Sequence, residues 1–529
     1  MRPPGVHQKA DWTIRGQSGW PISAPMASWQ LPLGALIVVA SALVYRWALG
    51  GNGLSTDDAH IHLRIARNWA SGFGPVFNPG ERVEASSSPT WLVLLTLGFR
   101  AGVPALALLT TLELLAAAWV GAATAWLAHR CAGRSASWLA PLTLGVLPSF
   151  AVWMNSGMET TLAAAVLTTA VALALDVKSL FGAARLGLLL AVLVGIRQET
   201  AAVVPLVVGI ASVGFDRHAR LQAIAVCALT CLAPLVAGLL LRHAYFGSWV
   251  PNTYVAKVAG AVLLDRALGV LYVAKFAAIH VGIFALAAWT VARRGSMPLC
   301  IALLIGGYLA AVAWTGGDHF FYHRLALPTL PLLSVLAALA PVSLGGSGRI
   351  LSALVLALQI PWALFGNRQM AYARVAQQHV RHAEAIGEAM SILPAGTVAT
   401  IAIGGIGYVT GRPILDLVGL ADATIARSPR IPGAKSGHNH GDVDYVLRRR
   451  PEFVIPMVWV NDKPMDDEEE RSALITLHES TAAAEQLVLD PRFRERYAPF
   501  DLVVGSNGHV RVWQRRDLIS FRAASSSSR

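Results

Sequence analysis

Apolar segments of roughly 20 residues recur along the first two thirds of this chain, from Trp29 to Gly366, and then stop. A segment of that length crosses the hydrocarbon core of a bilayer as an α-helix, which satisfies its backbone hydrogen bonds internally. Because 55% of the residues are hydrophobic and only 14% are charged, the chain is too apolar to be a set of soluble domains. We therefore predict a multispan α-helical membrane protein.

The apolar segments predict about 11 transmembrane helices within residues 29–366. Residues 1–28 are mostly polar, and we expect them to form a cytoplasmic segment that precedes an uncleaved anchor. The apolar stretch 89–103 is short, so we predict that it lies in the outer membrane interface rather than forming another span. The predicted spans are residues 29–49, 104–128, 136–154, 158–175, 183–197, 199–214, 220–242, 268–292, 297–315, 325–342 and 350–366.

The basic residues predict the orientation of these spans. Residues 1–366 carry 23 Lys and Arg against 12 Asp and Glu, whereas residues 367–529 carry 20 against 19. The net charge of +12 therefore comes from membrane loops and phosphate-binding residues and does not indicate a nucleic-acid partner. The loops that this arrangement places inside follow the positive-inside rule, with the N-terminus in the cytoplasm of a bacterial inner membrane. They contain Arg130, Arg134, Lys178, Arg185, Arg217, Arg220, Arg293, Arg294 and Arg349.

After the last span, residues 367–522 alternate apolar and charged residues, which predicts a soluble α/β domain on the extracytoplasmic side. This domain either binds an acceptor or caps a site in the membrane domain. Its segment SGHNHGD places His438 and His440 near Asp442, a pattern that fits metal ligands but is more typical of a solvated loop. The Ser-rich tail 523–529 is predicted to be disordered.

The loop 50–103 joins the first two predicted spans and contains the densest group of charged residues. Thr56 is placed to cap a helix from Asp57 to about Ser71. At 100° per residue, one face of that helix presents Asp57, His60, Arg64 and Arg67, and Asp58 points about 100° away. The pattern fits a catalytic carboxylate beside a row of cations, and it equally fits an amphipathic helix that lies on lipid headgroups.

Other polar loops fall on the same predicted side of the membrane. YFGSWVPNTYVAK holds Asn252 and Lys257, and NSGMET and RQET add Glu159 and Glu199. Taken singly, such residues are ordinary interface anchors. A further loop, GGDHFFYHR, holds Asp318, His319, His323 and Arg324. The common location of these loops predicts one extracytoplasmic site assembled from several of them.

With TDDAHIHLRIARNWASGFGPVFNPGERVE and DLVGLAD, these motifs resemble the GT-C glycosyltransferases that use polyprenyl-phosphate sugars. The resemblance implies inverting transfer of a sugar, with arabinofuranose as a candidate, to a cell-envelope glycan or glycolipid at the outer face of the membrane. It places the catalytic carboxylates at Asp57 and Asp58, with Asp57 as the base. The sequence itself leaves open a transporter of lipid-linked sugars or polysaccharide, and a non-catalytic scaffold.

A charged leaving phosphate needs cations, and arginine suits it by its bidentate fork. We expect this role for Arg64, Arg67, Lys257 and Arg324. The predicted substrate-binding set is completed by His60, Asn252, Asp318, His319 and His323. No cofactor is required by the spacing, although Asp57 and Asp58 are suitable ligands for Mg²⁺ or Mn²⁺.

Overall fold

The computed structural model describes residues 25–50, 56–259, 263–343, 346–365, 368–435 and 437–519. The predicted tail 523–529 and most of the predicted N-terminal segment therefore lie outside the described residues. The membrane domain consists of α1 (Gln30–Ala48), α2 (Asp57–Ala70), α3 (Pro89–Arg100), α4 (Ala105–Ala132), α5 (Arg134–Gly145), α6 (Pro148–Trp153), α7 (Thr160–Ala174), α8 (Leu180–Ile196), α9 (Val204–Ser212), α10 (Arg217–Phe246), α11 (Asn252–Lys257), α12 (Leu263–Ile279), α13 (Val281–Arg294), α14 (Ser296–Trp314), α15 (Leu330–Ser343) and α16 (Gly346–Phe365).

Each predicted span coincides with one of these helices or with a broken pair of them, so the helical membrane architecture is confirmed. The count of about 11 is not confirmed. Among the described residues, five helices are long and apolar enough to cross a membrane, or six if α12 and α13, bent by 88°, form one span. Breaks shorten the others: Pro148 starts a new helix inside the predicted span 136–154, and residues 198–203 form a 3₁₀ turn before α9.

The membrane helices differ in how they are buried. The segment Phe321–Pro341, a 3₁₀ turn leading into α15, is almost wholly buried, whereas α10 leaves most of its apolar surface exposed. An apolar exterior suits contact with lipid tails. α15 therefore forms the centre of the helix bundle and α10 its periphery.

The C-terminal domain begins with α17 (Gln369–Ala389) and contains a five-stranded sheet in the order β2-β1-β3-β5-β4. β1 pairs in parallel with β2 and β3, and the β4–β5 hairpin adds antiparallel strands at one edge. Helices cover the sheet, as expected for its parallel part. The elements are β1 (Val398–Thr400), α18 (Gly404–Thr410), β2 (Ile414–Asp416), α19 (Val443–Arg449), β3 (Phe453–Ile455), α20 (Asp467–Thr476), α21 (His478–Leu489), α22 (Pro491–Arg496), β4 (Tyr497–Val504) and β5 (Gly508–Arg515).

The first loop and the C-terminal domain share one hydrophobic core. Ile65 of α2 and Trp91 of α3 are buried in the same cluster as Ile406 of α18 and Phe453 of β3. Burial of large apolar side chains stabilises such an interface. The C-terminal domain is therefore packed directly onto the helix that carries the acidic pair.

Candidate active site

α2 begins and ends where the sequence predicts. It covers Asp57–Ala70, with its two aspartates in the first turn, where the helix dipole favours negative charge, and Gly72 follows with a φ of 88°. The predicted cap is wrong in detail. The Thr56 side chain makes no capping bond and instead donates its hydroxyl to the carbonyl of Ser156, at 3.2 Å.

One face of α2 docks the C-terminal domain. The two oxygens of the Asp57 carboxylate accept hydrogen bonds from the backbone N–H groups of Gly404 and Gly405, at 2.8 and 2.7 Å. One turn further, His60 lies 2.9 Å from the Glu384 carboxylate. These contacts are made to α17 and to the start of α18.

Arg64 and Arg67 extend the same interface. The buried Arg64 guanidinium donates to the carbonyls of Phe77, Gly407 and Arg412, at 2.8, 2.6 and 2.7 Å. Arg67 donates to the carbonyl of Tyr408 at 2.7 Å, and its guanidinium lies over the Tyr408 ring.

The helical wheel correctly groups Asp57, His60, Arg64 and Arg67 on one face, but that face contacts protein. The hydrogen-bonding groups of Asp57 and Arg64 are used in docking the C-terminal domain. The roles of Asp57 as base and of Arg64 and Arg67 as phosphate ligands stay predictions, and the contacts of this face favour a docking role for these side chains.

Asp58 points the other way, into a cluster of charges. Its carboxylate lies 3.2 Å from the Arg324 guanidinium, which also contacts Asp318 at 2.6 Å. Burial alone would raise the pKa of Asp58, but the positive charges of Lys257 and Arg324 outweigh that effect and hold it well below its usual range. Asp58 is only partly buried and His319 is exposed, so the cluster is open to a substrate.

The backbone before Arg324 is strained. Tyr322 and His323 have φ values of 53° and 55°, in the left-handed region that side chains other than glycine rarely adopt. Each such residue costs about 1–3 kcal/mol and persists only where its surroundings enforce it. Directly after this strained pair, the Arg324 guanidinium lies 3.2 Å from Asp58, and the Phe320 ring centroid lies 4.0 Å from its guanidinium carbon.

A second buried charge group adjoins this cluster. Arg197 contacts Glu159 at 2.8 Å and Glu199 at 2.6 Å. The negative charge of Glu159 in turn acts on His62 of α2. The sequence identifies these acids as members of the shared outer face, but it does not identify His62, because that residue falls between the two predicted faces of α2.

Several buried polar atoms of the cluster have no hydrogen-bond partner among the described residues. They are Nδ1 of His62, Nη1 of Arg324, Oε2 of Glu159 and Nδ1 of His438. Buried polar atoms are almost always paired in proteins, so these unpaired atoms near Asp58 make the cluster a candidate site for a polar ligand.

Asn252 and His323, which the sequence predicts to bind substrate, contact protein groups in the structure. The Asn252 amide donates to the carbonyls of Gly419 and Leu420, at 2.8 and 3.0 Å, and so joins α11 to the C-terminal domain. The His323 ring packs edge-on against Tyr272, whose hydroxyl donates to Asp318. Both residues brace the cluster.

The carboxylates of Asp57 and Asp58 do not converge as the pair of divalent-cation ligands that the sequence allows. Asp57 faces Gly404 while Asp58 faces Arg324. In the part of the chain that the structure describes, no three His, Cys, Asp or Glu side chains converge as metal ligands.

Sequence comparison finds short matches. A family model described as "Domain of unknown function (DUF8728)" matches residues 368–507. A stretch of 86 residues is 44% identical to the terminal β-(1→2)-arabinofuranosyltransferase of Mycobacterium tuberculosis, covering 15% of this chain and 14% of that protein.

Structural comparison covers almost the whole chain. ArnT from Cupriavidus metallidurans in the apo state superposes with a TM-score of 0.53 at 13% identity, over 90% of this chain and 97% of ArnT. ArnT bound to undecaprenyl phosphate gives a TM-score of 0.50 at 13% identity, over 92% and 98%. The chain therefore has the fold of ArnT.

Proposed function

We propose that this chain, a multi-pass membrane protein that resembles the GT-C glycosyltransferases in its motifs and its fold, transfers a sugar from a polyprenyl-phosphate donor. The acceptor is a cell-envelope glycan or glycolipid at the outer face of a bacterial inner membrane, where the C-terminal domain also lies. The curated relative is an arabinofuranosyltransferase, which supports arabinofuranose as the sugar. The ArnT complex with undecaprenyl phosphate supports the donor class.

The observation that carries the proposal is the cluster at Asp58. One ionised carboxylate, two cations and several unpaired polar atoms meet at a place that remains open to solvent. Glycosyl transfer from a phosphoester needs a base for the acceptor hydroxyl and positive charge for the departing phosphate. Asp58 supplies the first, and Arg324 and Lys257 supply the second.

Asp58 is a weak base while both cations face it, because its pKa is low. A donor phosphate bound to Arg324 and Lys257 shares their positive charge with Asp58 and adds negative charge beside it. Both effects raise the pKa of Asp58. Donor binding thus makes Asp58 a stronger base. As a result, the acceptor is deprotonated only in the complex that already holds its donor.

The reaction is a single displacement. The acceptor hydroxyl passes its proton to Asp58 as its oxygen bonds to the anomeric carbon of the donor sugar. The bond from that carbon to the phosphate oxygen breaks, and its electron pair leaves with polyprenyl phosphate. Attack from the face opposite the leaving group inverts the anomeric centre. Asp318 orients Arg324 throughout, at 2.6 Å.

The test uses purified full-length protein, radiolabelled farnesyl-phosphoryl arabinofuranose and a synthetic octyl arabinofuranosyl disaccharide. We expect a trisaccharide product of inverted anomeric configuration by NMR, and a 10²- to 10⁴-fold lower kcat in Asp58→Asn. Near-normal transfer by Asp58→Asn would exclude the proposed base. Movement of the donor across vesicles without bond formation would instead identify a transporter.

A further inference from the structure

Two adjoining stretches of the C-terminal domain, residues 428–435 and 437–441, reach the charge cluster of the membrane domain. Arg430 forms an ion pair with Asp265 at 2.9 Å and donates to the carbonyl of Ala259 at 2.9 Å. Gly437, with a φ of 79°, lies so close to Lys257 that a Cβ there would be 3.3 Å from the Lys257 Cε. The positive φ favours glycine at this position, and a Cβ there would make a tight contact with the Lys257 side chain.

The two stretches are braced against each other. The Ile431 N–H donates to the carbonyl of Asn439 at 2.7 Å, and the His440 ring lies 2.8 Å from the carbonyl of Ser428. The Gly441 N–H donates to the Ser428 hydroxyl at 3.1 Å. These bonds hold the backbone on both sides of His438.

The His438 ring meets the site at His319. The two rings lie edge to face with centroids 4.9 Å apart, and Nδ1 of His438 is buried without a partner among the described residues. Burial, with the neighbouring positive charges, lowers the pKa of His438 and keeps the imidazole neutral. A neutral imidazole has one donor and one acceptor nitrogen, which suits a sugar hydroxyl.

We propose that His438 binds the acceptor by hydrogen bonding to a hydroxyl next to the one that Asp58 deprotonates. This inference rests on the proposed function. The cations that suit the donor phosphate, Arg324 and Lys257, belong to the membrane domain, whereas His438 belongs to the soluble domain, from which a glycan acceptor enters. The C-terminal domain is therefore part of the active site.

Steady-state kinetics of full-length His438→Ala, with the same donor and acceptor, test the assignment. We expect the KM for the acceptor to rise about 10-fold, as for loss of one hydrogen bond, with the KM for the donor within twofold. His438→Gln, which keeps a donor and an acceptor, should recover part of the loss. His509→Ala is the matched control, because His509 lies on β5 at its pairing with Asn461.

Binding of the octyl disaccharide without donor, measured by saturation-transfer NMR, is the second readout. Weaker binding to His438→Ala than to His509→Ala supports the assignment whatever the Asp58 variant does. Equal binding, or an acceptor KM within twofold of the wild type, overturns it. Failure of the proposed function would show separately, as absence of transfer by the wild type.

Discussion

Replacing Asp57 by Asn tests whether the two aspartates of α2 have different roles. They are adjacent in sequence, but Asp57 faces the C-terminal domain and Asp58 faces Arg324. The Asp57 carboxylate accepts from two backbone N–H groups, those of Gly404 and Gly405. An asparagine keeps one acceptor oxygen and turns an N–H₂ group toward the other N–H. The variant therefore loses one charge-assisted hydrogen bond at the domain interface, while the docking contacts of His60 and Arg64 keep α2, and with it Asp58, in place.

The loss of stability in Asp57→Asn follows from the two hydrogen bonds that the Asp57 carboxylate accepts. A hydrogen bond to a charged group contributes about 1.5–3 kcal/mol, and the negative charge at the start of α18 adds about 0.3–1 kcal/mol. Because Asp57 is partly exposed, we expect the low end, about 2 kcal/mol of stability. For a domain of this size that lowers the melting temperature by about 4 °C or more.

Thermal unfolding and transfer kinetics on the same preparation provide the assay. We expect Asp57→Asn to melt earlier than the wild type and to keep kcat within about threefold, since a lost base costs about 10²–10⁴ in rate. Asp58→Asn is the matched comparison, with near-normal melting and a large loss of kcat. A variant Asp57→Asn that melts normally and has lost its kcat would refute the reasoning and restore Asp57 as the base.

Three further predictions concern arginine and pH. Arg64→Ala removes a buried guanidinium from three carbonyls. We expect the free energy of unfolding, measured with denaturant, to fall by about 3–5 kcal/mol. A loss below about 1 kcal/mol would contradict the docking role. Arg324→Lys keeps the charge without the fork, so the KM for the donor should rise about 10-fold while the KM for the acceptor stays constant. Although burial opposes it, the positive charges of Lys257 and Arg324 hold the pKa of Asp58 well below its usual range, so Asp58 stays ionised and wild-type kcat/KM should be level from pH 7 to about pH 5. Arg324→Gln removes a lowering charge and should shift the acid limb to higher pH, and an unshifted limb would disprove the coupling.

The sequence predicts which residues of α2 share a face better than it predicts what each face contacts. The wheel of α2 groups Asp57, His60, Arg64 and Arg67 correctly, because helical spacing depends only on neighbours along the chain. What that face contacts depends on residues more than 300 positions away, such as Gly404 and Gly407. No local pattern carries that information.

The same limit explains His438 and the span count. SGHNHGD has the composition of a solvated loop, and only its packing against Lys257 and His319 brings His438 to the site. Apolar runs locate the membrane helices, but hydropathy does not show that a new helix starts at Pro148 or that α12 and α13 are bent by 88°.

The double role of α2 has a consequence for building chimeric enzymes. Asp57 and Asp58 share one turn of helix, so a domain that holds the first also sets the angle of the second. Arg64 and Asn78 continue that contact to Arg412 and Ile414. A graft that exchanges only the soluble half between relatives would leave α2, with Asp57 and the proposed base Asp58, packed against a foreign surface. The transplantable module includes residues 57–78 of the first loop.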